Sequence, residues 1–122
     1  MKEGKQSNRE LGSRYESIAA SYLEEKGYQI LERNYRSRRG EIDLIALDSG
    51  TIVFIEVKYR SERKKGDPLE AVGWRKQSQI CRTARVFLME RQISPDQACR
   101  FDVVGILGGE ITLIQNAFEF HE

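Results

Sequence analysis

The sequence predicts an α/β domain: one mixed sheet of about five strands flanked by helices, in the order α-β-β-β-α-β-β. Two observations predict it. Apolar residues recur at helical spacing over 10–26 and again through the middle of the chain. Between and after these stripes lie short apolar-rich runs bounded by glycine turns, the pattern of strands. Helices interleaved with strands pack onto a shared sheet. At 122 residues the chain can build one core but not two, so 1–122 is read as a single domain with 1–8 and 117–122 as mobile ends.

In order, Leu11, Tyr15, Ile18, Ala19, Tyr22 and Leu23 form the stripe of the first helix, and Gly27 is its C-terminal cap. YQILERNYR, 28–36, reads as a strand. GEIDLIALDSGTIVFIEVKYR supplies two more, 41–47 and 51–58, turned at Asp48-Ser49-Gly50. SERKKGDP is a polar, basic loop. Asp67-Pro68 suits a helix start, since proline is tolerated in the first turn. Leu69, Val72, Ile80, Ala84, Phe87 and Leu88 then give the stripe of one helix, or of a short turn and a longer helix broken at Gly73, and Ser94-Pro95 ends it. RFDVVGIL and EITLIQ are the last two strands, joined at Gly108-Gly109.

Charged residues make up 32% and apolar residues 39%, a balance that suits a soluble globular protein and excludes a disordered chain. No apolar run approaches the roughly 18 residues of a membrane span, and MKEGKQSNRE lacks the apolar stretch of a secretory signal. Cys81 and Cys99 are too few and too far apart for a disulfide scaffold or a zinc site, so a reduced, cytoplasmic setting is expected. The net charge is only +1, but its distribution is uneven. Arg33, Arg36, Arg38 and Arg39 fall together without an acid. Lys58, Arg60, Arg63, Lys64 and Lys65 face Glu62 alone, and Arg75, Lys76, Arg82 and Arg85 follow. Each cluster by itself reads as solvated surface, whereas three around an acidic hairpin would focus a polyanion onto it.

That hairpin carries the chemistry. With Ser49-Gly50 as a two-residue turn, Asp43 stands across from Glu56 and Glu41 across from Lys58, all four on one face. Ile42, Leu44, Ala46, Val53, Ile55 and Val57 then fill the other face. Opposed carboxylates roughly 5 Å apart repel. A divalent cation between them removes the repulsion, and hard oxygen ligands suit Mg²⁺ or Mn²⁺. Lys58 would point at the same place and counter charge on a phosphate. The plain alternative is a Glu41–Lys58 cross-strand ion pair, with Asp43 and Glu56 simply solvated.

Asp43, twelve intervening residues, then Glu56-Val57-Lys58 resembles the PD-(D/E)xK signature of restriction-endonuclease-like nucleases, with Ile42 in place of the proline. GSRYESIAASYLEEKGYQILERNYRSRRGEIDLIA, VFIEVKYR, the DPLEAV…RKQ stretch and RFDVVGI, in that order, resemble the YraN-like family of predicted endonucleases related to Holliday-junction resolvases. The resemblance implies a restriction-endonuclease-like fold, Asp43 and Glu56 as metal ligands and Lys58 as the catalytic lysine. It also implies Glu16, on the first helix, as the acid that completes the site. No i,i+4 ion pair accounts for Glu16, because Gly12 and Ala20 stand at those positions. Gln77, early on the second helix, matches a polar residue that related nucleases place near the lysine. Glu41 lies beside the site as either a metal contact or the partner of Lys58.

Other residues offer less. His121, the only histidine, is read as part of a frayed end, so no serine or cysteine has a histidine base. Asp102 suits an ion pair with Arg100 better than catalysis. Trp74 and Tyr35 could stack on bases, though packing roles are commoner for such residues. The expectation is a Mg²⁺- or Mn²⁺-dependent endonuclease acting on nucleic acid, DNA foremost, with a branched or flapped form in view. The alternatives are a nucleic-acid-binding module without turnover and a scaffold whose acidic face docks a protein. Arg36, Arg38, Arg39, Arg60, Arg63, Lys64, Lys65 and Lys76 are the expected backbone contacts, no membrane is involved, and a homodimer is left open.

Overall fold

The computed structural model describes residues 8–60 and 72–121. They form α1 (Asn8–Glu25), β1 (Gln29–Ser37), β2 (Gly40–Asp48), β3 (Thr51–Arg60), α2 (Trp74–Glu90), β4 (Cys99–Leu107) and β5 (Glu110–Phe118), the predicted order. The five strands make one sheet in the spatial order β1-β2-β3-β4-β5. Only β3 and β4 run parallel, with α2 on the connection between them, so the sheet is mixed. Arg63, Lys64, Lys65 and the Asp67-Pro68 helix start lie outside the described residues.

Each helix covers one face. Ala19 and Leu23 of α1 pack with Leu44, Val53, Ile55 and Val104. Ile80, Ala84 and Phe87 of α2 pack with Ile45, Phe54 and Phe101 on the other side. Burying each large side chain is worth roughly 1.5–3 kcal/mol. Ile18, read as part of the first stripe, stays 40% exposed. β4 is buried from Phe101 to Ile106 because helices cover both its faces, which explains why Asp102 is the one charged residue in that run.

The turns follow glycine chemistry. Ser49 and Gly50 both have positive φ (52° and 88°), as a two-residue hairpin turn requires, and Asp48 pairs with Thr51 as predicted. Gly27, at φ 99°, ends α1 with Tyr28 N–H donating to Leu23 O and Gly27 N–H to Glu24 O. Gly73 is the N-cap of α2 and marks the anticipated break. The far end of α2 differs from expectation. Gln92 adopts φ 53°, and the Gln92 and Ile93 N–H groups cap the helix well before Pro95.

Two further departures shape the site. β5 continues to Phe118, and His121 stacks on Trp74, so the segment read as a frayed end is held against α2. The second is a slip in side-chain alternation. Leu44 and Ala46 face α1 as expected, but Ile42 joins the cluster under α2. The β1–β2 register itself holds here, from Arg33↔Leu44 to Tyr35↔Ile42, its shift lying further back between Ile30 and Glu32; Asn34, between the two pairs, has φ 55°. The phase change falls on Asp43.

Candidate active site

The β2–β3 ladder pairs Leu44 with Ile55, and no further pair follows towards Asp43. Beyond it the Asp43 carboxylate takes over the role of a strand carbonyl: the Val57 N–H donates to Asp43 Oδ2 at 2.8 Å. The strands fork there, and the fork opens a cavity of about 620 Å³. Its walls include Glu16 from α1, Asn34 from β1, Asp43 from β2, Glu56 and Tyr59 from β3, and Lys76 from α2. Tyr59 is fixed by stacking on Tyr15, with centroids 4.4 Å apart.

Asp43 and Glu56 are only 9% and 5% exposed. Burial is the main reason both carboxyls titrate higher than usual. For Asp43 the Val57 N–H and Lys76 pull the other way. Glu56 is pushed up to about 7, by burial first and the Asp43 charge second, against Lys76 and Lys58. Lys58 Nζ lies 3.4 Å and Lys76 Nζ 3.7 Å from Glu56 Oε2. Glu16 is raised by burial and then by Asp43. Asn34 and Asp43 are within hydrogen-bond reach of the Glu16 carboxyl, yet Glu16 Oε1 is buried with no hydrogen-bond partner among the described residues. Such an atom is uncommon in a folded protein. Asp102, also buried, is the contrast. It accepts hydrogen bonds from Tyr28, Arg100 and the Asn116 N–H, the structural role read for it.

The structure therefore brings Asp43, Glu56, Lys58 and Glu16 to one place. It does not form the Glu41–Lys58 pair: Glu41 bridges to Arg36 at 3.2 Å, across the β1–β2 ladder, while Lys58 turns to Glu56. Nor do all four hairpin side chains share a simple face, because of the slip at Asp43. Gln77 is outside the cavity walls. Its amide donates to Val72 O at 2.9 Å and its Oε1 meets His121 Nε2 at 3.1 Å, so both ends are engaged at the helix start. Lys76, read only as a backbone contact, stands where Gln77 was expected. Arg36 lines the cavity, whereas Arg38, Arg39 and Arg60 are exposed but not among its walls. Tyr35 is buried against Phe87, which removes it as a base platform.

Residues 15–106 match the family described as Uncharacterised protein family UPF0102. The chain belongs to this family. A UPF0102 protein of Lachnoclostridium phytofermentans is 52% identical over 104 residues, covering 85% of this chain and 88% of its own length. One from Prosthecochloris aestuarii is 56% identical over 99 residues, covering 80% and 76%. The family-level resemblance read from the motifs is thereby borne out, and the matched span holds every acid and lysine of the cavity. Among solved structures, the chain is similar to a repair endonuclease from Pyrococcus abyssi at TM-score 0.46 and 20% identity, over 89% of this chain and 42% of that one. The chain spans less than half of that protein's length.

Proposed function

We propose that this UPF0102 protein hydrolyses phosphodiester bonds in nucleic acid, DNA foremost, with a divalent cation. The observation that carries the reading is the buried Asp43–Glu56 pair at the strand fork, flanked by Lys58, Lys76 and the unpartnered Oε1 of Glu16. Buried, mutually repelling carboxylates are a poor choice for a structural sheet and a good one for holding a cation.

The donor set fits Mg²⁺ or Mn²⁺: all hard oxygens, with an orphan oxygen at the edge. Among the described residues no three such side chains form a closed metal cage. Asp43 and Glu56 would thus be the protein ligands, with water and substrate oxygens filling the remaining positions. Bound there, the ion would supply Lewis acidity to the phosphoryl group. The chain's own residues do the rest. Lys58 and Lys76 place ammonium groups against the phosphate oxygens and stabilise charge that grows in the transition state. The Val57 N–H holds Asp43 in orientation, and Arg36 at the rim meets the neighbouring backbone phosphate. Glu16 closes the α1 side of the cavity.

The test is an incubation with Mg²⁺ or Mn²⁺ and linear, flapped and four-way DNA alongside single-stranded RNA. Cleavage is expected to vanish in EDTA, and to fall about 10²–10³-fold in Lys58→Ala, the usual worth of one such electrostatic contact. Activity that survives both Lys58→Ala and Asp43→Asn would remove the fork as its source. A binding module is the second reading, favoured by the ion pairs that Lys58 and Lys76 make with Glu56. It requires nucleic-acid binding with no cutting across the whole panel.

A further inference from the structure

Trp74, the only tryptophan, opens α2 and is 66% exposed. Leaving so large an apolar surface in water forgoes burial that nearly every other aromatic of the core obtains. Yet the ring is not loose. The His121 imidazole lies flat against it, with centroids 3.6 Å apart and planes at 12°. His121 is itself set by Ser78 Oγ at 3.3 Å and Gln77 Oε1 at 3.1 Å, and Gln77 is tied to Val72 O. One face of the indole is thus braced from behind.

The hollow beside it, about 620 Å³, is lined by Gly73, Trp74, Arg75, Lys76, Gln79 and Arg82, with three cations and no acid. Lys76 and Gln79 also line a second hollow with Arg36 and Glu41, and Lys76 borders the cavity at the strand fork. Lys76 is common to all three hollows, so cationic side chains border the way from the Asp43–Glu56 pair to the braced indole. A polyanion suits that charge, and a flat ring suits the indole. Resting on the reading of the protein as acting on nucleic acid, we infer that Trp74 is a stacking platform for an unpaired base of the strand whose phosphate enters the fork. The substrate is then single-stranded, flapped or frayed beside the cut. A base inside a duplex has no face to offer the indole, whereas an unpaired one stacks and leaves its phosphates to Arg75, Lys76 and Arg82.

The lone tryptophan reports on this directly. In EDTA, where no cleavage occurs, a short oligothymidylate should quench its emission, while a blunt duplex and an abasic oligomer of equal phosphate number should not. By anisotropy with labelled oligothymidylate, Trp74→Ala should bind about tenfold more weakly or worse, and Trp74→Phe should retain most of the affinity. Equal binding of oligothymidylate and the abasic oligomer, or unchanged affinity in a folded Trp74→Ala, would overturn the platform. Should Trp74→Ala fail to fold, the quenching comparison on the wild-type protein decides alone. Cleavage plays no part in these measurements, so a protein that stacks bases without cutting DNA would refute the hydrolase and leave the platform standing.

Discussion

Glu56 is held in the folded protein at the expense of its charge. Its carboxyl titrates near 7 instead of 4.5, so between those values the native state keeps a proton that the unfolded chain releases. The stability this contributes is complete below about 4.5 and is lost as pH rises through about 7. In EDTA, the melting temperature of wild type should fall from about pH 5 to about pH 8, and Glu56→Gln should flatten that slope and melt higher at the alkaline end. Parallel profiles for the two proteins would contradict the burial described for Glu56. At this scale the proximity of Asp43, Glu56 and Lys58 was legible in the sequence, because a two-residue turn brings their strands side by side; the Glu41–Lys58 pairing was not, since the ladder stops at Leu44↔Ile55. Lys76 was not legible as a neighbour of Glu56. Its arrival depends on where α2 lands, and the difference between Lys76 and Gln77 is one helical step, about 100° of rotation.

Gly40 shows what an element demands of one backbone position. It starts β2 at φ +145°, and a Cβ there would stand 2.6 Å from Gln79 Cγ on α2. Gly40→Ala should therefore lower stability by about 1–3 kcal/mol, read as a shift of the urea midpoint. Adding Gln79→Ala should recover only the steric share, since the dihedral strain remains. Glycine also explains which boundaries the sequence reveals. Gly27, Ser49-Gly50 and Gly108-Gly109 announce their turns because positive φ favours glycine. The end of α2 is silent by comparison, for Gln92 takes the same conformation with no such marker. The positive φ of Asn34, beside the slip at Asp43, had a faint signal, asparagine being one of the few residues at ease there. What hid it was the partner strand, whose alternation reads as regular until the phase changes at Asp43.

Across the molecule, near-neutral net charge conceals a division of labour. The acids of the fork share their cavity with cations from α1, β1 and α2 (Arg9, Arg36 and Lys76), brought together only by the fold. If Arg38 and Arg39 each meet a phosphate, Arg38→Gln/Arg39→Gln should weaken duplex binding and reduce the slope of log K against log salt by about 0.9 per contact. An unchanged slope would place the backbone path elsewhere, along α2. The layered architecture itself was legible, because periodicity separates helices from strands. The pairing of β3 with β4 was not, since nothing local to either strand says which distant strand it meets.

That single parallel seam also sets an order of events. Ile52 and Cys99 pair across more than a third of the chain, while every other strand pair closes through a two-residue turn, at Ser37↔Gly40, Asp48↔Thr51 and Leu107↔Glu110. A meander and a hairpin can each form early, and the long closure between them comes last. Asp43 and Glu56 both belong to the meander, whereas Lys76 arrives with α2. During refolding the two acids meet with Lys58 of β3 as their one nearby countercharge and Lys76 still to come, which sets a brake at the very place where the finished protein gathers its charges. Stopped-flow refolding should consequently quicken with added salt in wild type and far less in Asp43→Asn.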